Sequence, residues 1–190
     1  MSESEIVRKI QSGDIDALGE IFELYKNTAL KYSYLITNDK FASEDIVQEA
    51  FIKCYLNAKS LKNVEQFKAW FFKILTRIAW KRIDKDKKAL PIENIFEKAN
   101  NDSIDKCVNI YLKNQEDQIL HSEIEKLDLM QKTVIVLFYF NGLTVKEIAK
   151  VMGCFEGTVK SRLYSARKKL KESLENSNEK NFVYVKECKF

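Results

Sequence analysis

From Gly142 to Leu174 the chain reads GLTVKEIAKVMGCFEGTVKSRLYSARKKLKESL, a stretch that suits two helices meeting at a tight turn. Thr144 is a good N-cap, and Glu147 three residues later completes a capping box in which side chain and backbone satisfy each other's open amides. Val145, Ile148, Ala149 and Met152 then share one face at helical spacing. Gly153 stands where a helix C-terminus wants a residue tolerant of positive φ, so a second helix can begin after Cys154 and Phe155. In that helix Val159, Leu163, Ala166, Leu170 and Leu174 form the stripe to be buried. Lys160, Arg162, Arg167, Lys168, Lys169 and Lys171 are left on the remaining surface. A short helix, a glycine turn and a long basic helix match the helix-turn-helix, whose second helix enters the major groove with its N-terminal residues foremost. A solvated amphipathic hairpin is the plainer alternative. Capping box, turn glycine and one-sided charge together favour DNA.

Five glycines and one proline in 190 residues are too few for the many turns of an all-β fold. The expected class is all-α, one or two small helical domains with apolar residues enough for a core in each. The net charge of +4 averages unlike segments. Between Lys68 and Lys88 stand eight basic residues against two acidic ones, and between Glu156 and Glu172 six against two. Two basic patches on an otherwise acidic chain suggest two contacts with one polyanion. Cys54, Cys107, Cys154 and Cys188 are scattered and His121 is the lone histidine, which supports neither a disulfide framework nor a metal site. No apolar run reaches the roughly 18 residues of a membrane span. The N-terminal MSESEIVRKI lacks a signal-peptide core, so a soluble, cytoplasmic protein is expected.

Ser2 and Glu5 can cap a first helix carrying Ile6, Val7 and Ile10, which Ser12-Gly13-Asp14 breaks. A longer helix from about Asp16 has Leu18, Ile21, Phe22, Tyr25, Ala29, Tyr32 and Ile36 on its inner face, and Thr37-Asn38-Asp39 ends it. The next, from about Ala42 to Ala58, keeps Val47, Ala50, Phe51, Cys54 and Tyr55 for the core. Asp45, Gln48, Glu49 and Ile52 fall at i, i+3, i+4 and i+7 on another face, acidic and polar with one aliphatic residue. Such a face is unsuited to DNA and suited to a basic protein partner, or is simply solvated. In the segment that follows, Phe67, Trp70, Phe71, Ile74, Ile78 and Trp80 are interleaved with Lys73, Arg77, Lys81 and Arg82. Some of these rings belong to a core. Aromatics alternating with cations are also how proteins hold unpaired bases, the rings stacking and the cations following the phosphates.

The strings DIVQEAF, FKAWFFKILTRIAWKRIDK and LTVKEIAKVMGCFEGTVKSRLYSARKKL, in that order, resemble bacterial sigma-70-type RNA polymerase sigma factors. The type is the small extracytoplasmic-function (group 4) class, which keeps only regions 2 and 4. The resemblance covers about Ala17 to Lys88 and about Ser122 to Leu174. It implies that Asp45, Gln48 and Glu49 dock on the clamp helices of the polymerase β′ subunit. It implies that Lys73, Arg77, Lys81 and Arg82 engage the minus-10 element and hold its opened strand. In the second segment it implies that Lys160, Ser161 and Tyr164 face the minus-35 element, with Thr158 near the phosphates, while the preceding helices pack on the β flap. Ser165 stands where relatives often carry another basic residue, and Glu156 precedes the helix. The family also implies an anti-sigma factor as partner.

Residues 89–114, polar, Asn-rich and acidic, read as a linker between a region 2 domain, 1–88, and a region 4 domain, 115–176. In the second domain a helix runs through Glu125, a break falls near Leu127-Asp128, and Gln131 to Gly142 is apolar nearly all round, a central helix. The tail, 177–190, is unassigned. No paired carboxylates, metal cluster or activated nucleophile stands out, so neither catalysis nor a cofactor is expected. A stand-alone helix-turn-helix regulator is the competing reading. It leaves the acidic face and the aromatic basic helix without a purpose.

Overall fold

The computed structural model describes residues 2–88 and 115–176. The linker and tail readings lie outside the described residues. Among those described, every regular element is helical, and no helix is long and apolar enough to cross a membrane.

The first group of helices is α1 (Glu3–Ser12), α2 (Asp16–Thr37), α3 (Lys40–Asn57) and α4 (Phe67–Lys88). Ser2 and Glu5 form the expected capping box on α1, and Gly13 closes it at φ 96°. Asn38 turns α2 into α3 in the left-handed conformation at φ 54°, and Asp39 caps α3 by accepting from the Ala42 N–H. A connection this short makes α2 and α3 an antiparallel hairpin, and α4 packs on both. The core there is aromatic. Tyr25 meets Phe67 and Phe71 edge-on at 5.5 Å, Phe51 lies 4.8 Å from Phe71, and Tyr32 meets Phe72 at 5.5 Å. The one buried hydroxyl pair in this region is satisfied: Tyr32 Oη lies 2.7 Å from Thr76 Oγ1, which itself donates to the Phe72 carbonyl.

The second group is α5 (Gln115–Glu125), α6 (Leu129–Ile135), α7 (Val145–Met152) and α8 (Glu156–Asn176). Asp128 caps α6, which widens into a π-turn over Val136–Phe140 before Gly142. The expected central helix is there: Val134, Ile135, Val136 and Leu137 are all buried. The capping box of Thr144 with Glu147 starts α7 and Gly153, at φ 67°, ends it.

The two groups pack on one another. α7 lies along α4, and the π-turn reaches α2. Trp80 donates its indole N–H to Thr133 Oγ1 at 3.1 Å, Tyr34 stacks on His121 at 5.2 Å, and Lys31 sits 4.9 Å over the Phe140 ring. Buried apolar residues from both groups join in one continuous cluster.

Candidate nucleic-acid interface

On α3 the expected division holds for all but one of the residues assigned to the core. Ile46, Val47, Ala50, Phe51 and Cys54 are buried, while Asp45, Gln48 and Glu49 are exposed. Tyr55, assigned to the core, is only half-buried and its hydroxyl donates to the Gly13 carbonyl at 3.3 Å. Ile52 is 59% exposed, and Leu56, one turn further on, is 72% exposed. Sequence reasoning passed over Leu56, although the i+4 step from Ile52 was available to find it. Phe22 of α2, also exposed at its rim, meets Phe51 edge-on at 5.0 Å. The result is an aliphatic strip bordered by carboxylates.

On α4, Lys73 is half-buried, Arg77 and Lys81 are exposed, and Arg82 is half-buried. Lys73, Arg77 and Lys81 step by four and so lie in one row. Arg82 is engaged otherwise: its guanidinium meets Asp86 at 3.3 Å and Asp45 of α3 at 3.6 Å. The acidic face of α3 and the basic helix therefore touch at this pair, a contact that no local pattern announced. The rings of α4 are mostly core. Phe67, Phe71 and Ile78 are buried, and Trp70, Ile74 and Trp80 are half-buried. Stacking platforms for unpaired bases were expected from these rings. α4 packs on α2, α3 and α7, and the buried Phe67 and Phe71 offer no open ring face, while Trp70 and Trp80 keep part of theirs exposed.

On α8, Val159, Leu163, Ala166, Leu170 and Leu174 are buried as the stripe predicts. Lys160, Ser161 and Tyr164 share an exposed face, Tyr164 at 67%, and Thr158 is half-buried at its edge. Ser165 turns towards α6 and accepts a hydrogen bond from Gln131 Nε2 at 3.2 Å. Its hydroxyl is thus engaged within the protein. Lys169 also faces α6, donating to Gln131 Oε1 at 2.8 Å, with Asp128 4.0 Å away. Arg162 Nη1 reaches Cys154 Sγ at 3.9 Å across the turn. Glu123 of α5 bonds Lys126 and Ser173 of α8, contacts that hold its carboxyl below the usual range. These contacts fix α8 on α5 and α6, so the face carrying Lys160, Ser161 and Tyr164 is held outward.

The three α-helical surfaces coincide with segments of known kinship. Residues 21–89 match the family described as Sigma-70 region 2, and residues 117–170 match Sigma-70, region 4. The chain is 33% identical over 149 residues to RNA polymerase sigma factor SigV of Bacillus subtilis, covering 76% of this chain and 82% of that one. It is 29% identical over 180 residues to the ECF RNA polymerase sigma factor SigW of the same organism, covering 88% and 94%. Among solved structures, CnrH in complex with the cytosolic domain of CnrY is similar with a TM-score of 0.66 and 20% identity, over 93% of this chain and 99% of that one. The sigma factor RpoE of Bartonella quintana, in complex with the anti-sigma factor NepR, is similar with a TM-score of 0.65 and 23% identity, over 85% and 98%. A stand-alone helix-turn-helix regulator would not account for the first segment. With both regions matched in order along one chain of two helical domains, the protein belongs to the sigma-70 family as an RNA polymerase sigma factor of the ECF type.

Proposed function

We propose that this chain directs promoter-specific transcription initiation by docking on core RNA polymerase with α3 and presenting α8 and α4 to the promoter. The observation that carries the reading is the leftover face of α3. Its core side is complete, yet Ile52 and Leu56 stand in solvent beside Asp45, Gln48 and Glu49. An apolar strip rimmed by carboxylates offers a partner hydrophobic area and electrostatic steering together, which suits the basic clamp helices of β′. The β flap is the second contact, made by the region 4 helices.

In this reading α8 enters the major groove of the minus-35 element with Lys160, Ser161 and Tyr164 towards the bases and Thr158 near a phosphate. Lys73, Arg77 and Lys81 follow the opened minus-10 strand, with Arg82 contributing once its pairs with Asp45 and Asp86 exchange for phosphate. Residues 1–88 and 115–176 act as two units, each a weak and salt-sensitive DNA binder. Carried on one polymerase, their effective concentration at the promoter rises together. The chain works in the cytoplasm and catalyses nothing itself; the polymerase supplies the chemistry. Two solved relatives of like fold are held in complexes, RpoE with the anti-sigma factor NepR and CnrH with the cytosolic domain of CnrY, and this supports an anti-sigma factor as a partner here also.

Reversing both charges, Asp45→Lys with Glu49→Lys, is expected to weaken binding to core polymerase at least about tenfold, because like charge then meets the clamp helices. Both residues are exposed and their ion pairs, with Arg82 and Lys53, are surface pairs of small worth, so the helical circular dichroism should be unchanged. A core-binding titration indistinguishable from the unaltered chain would contradict the docking face.

A further inference from the structure

Two residues at the tip of α8 are not explained by the fold. Phe155 is 86% exposed, the most exposed of the large apolar side chains described. Its carbonyl accepts from the Thr158 N–H at 3.0 Å and the Val159 N–H at 3.2 Å, which places it at the N-cap of the helix. That position favours Ser, Thr, Asp or Asn, whose oxygen covers the first amides. Ser2, Asp39, Asp128 and Thr144 hold the N-caps of their helices with a side-chain oxygen on the opening amides, and at α2, whose N-cap is Ile15, the preceding Asp14 supplies that oxygen. At α8 a bulky ring stands at the N-cap, exposed rather than packed. The second residue is Gly157. Its φ is not positive and an added Cβ would meet nothing within 4 Å, so neither conformation nor crowding within the protein calls for glycine in the first turn. Glycine there weakens the helix relative to alanine, and it lets another backbone come close.

Both oddities are resolved by something approaching the tip from outside. Gly157, Lys160, Ser161 and Tyr164 are all exposed along the helix, and a recognition helix enters the groove with its N-terminal residues foremost, which brings the tip carrying Phe155 nearest the bases. An apolar ring has one favourable contact on the floor of the major groove, the C5-methyl group of thymine. We propose that Phe155 reads a base: its ring lies against one thymine methyl in the minus-35 element and sets the preference at that position. The inference rests on the promoter-binding reading above and adds an apolar specificity contact to the polar ones of Lys160 and Ser161.

The test uses the full chain bound to core RNA polymerase. The favoured element is selected from duplexes randomised upstream of the start site, and each thymine of that element is then replaced singly by deoxyuridine, which removes only the methyl. With the unaltered chain one replacement should weaken holoenzyme binding about fourfold, the worth of one buried methyl. With Phe155→Ala that replacement should have no effect, while the response at every other position is kept. Phe155→Leu should retain a sensitive thymine. Phe155→Ser should lose methyl sensitivity and yet raise the thermal midpoint by about 2–4 °C, since serine caps the helix. A merely structural ring would instead lower the midpoint when removed. An element without thymine, the same deoxyuridine profile in the unaltered and Phe155→Ala chains, or a uniform loss at all positions would overturn the inference alone. If the unaltered chain selects no element with core polymerase, the underlying reading falls with it.

Discussion

His121 is the lone histidine, buried where the two groups of helices meet, with its ring stacked on Tyr34 and its Nε2 without a hydrogen-bond partner. Burial holds its pKa below the ordinary 6.5; Glu125 opposes that shift and Lys132 adds to it. Lys132 is itself lowered by burial, again against Glu125. The unfolded chain therefore takes up a proton at a higher pH than the folded one. Stability is fully present above about pH 6.5 and declines as pH falls towards the lowered folded value, at a slope of at most about 1.4 kcal/mol per pH unit. Thermal unfolding measured between pH 7.5 and 5 should show this decline, and His121→Phe, which keeps the stack and removes the titration, should flatten it over that window. An equal slope in the variant would place the dependence elsewhere. By the same physics burial pushes the Cys54 thiol up to about 12, so it behaves as a packing residue.

At the scale of elements, the short helix α7 depends on its ends. It has only eight residues, too few to be stable alone, and the Thr144 hydroxyl and Glu147 carboxylate close its first turn at 2.7 Å while the Thr144 N–H donates to Glu147 at 2.8 Å. Thr144→Ala should cost about 1 kcal/mol in chemical denaturation, within the range of 0.5–2 for a lost cap. No measurable loss would mean that packing against α4 and α8 alone holds the helix. This element was legible beforehand because its signals are local: a cap, a box partner three residues on, an apolar face and a turn glycine. The same holds for α1, for the Asn38 turn and for the buried stripe of α8. The role of α4 was not legible in the same way. Rings at every angle of a helix are compatible with a core or with stacking surfaces, and only the neighbours decide. Those neighbours, α2, α3 and α7, lie outside the local window that sets the pattern of α4, and α7 follows it by more than fifty residues. The Asp45 to Arg82 pair, the turning of Ser165 towards Gln131 and the bond from Trp80 to Thr133 escaped sequence reading for that reason.

For the whole molecule, the division of labour follows from where charge and apolar area are left over once the core is made. α3 keeps an acid-rimmed aliphatic strip, α8 keeps a basic and polar face with an exposed ring at its tip, and α4 keeps the row of Lys73, Arg77 and Lys81. Trp80 is tied to α6 through its bond to Thr133 while α7 packs along α4, so any use of Trp80 on a melted strand requires the second group of helices to move away. The most direct measurement is run-off transcription by purified core polymerase on a pool of upstream sequences, with and without this chain. The account predicts that added chain converts unselective, low initiation into strong initiation from a small related set of templates. Initiation that is no greater, or no more selective, with the chain than without it would contradict the account.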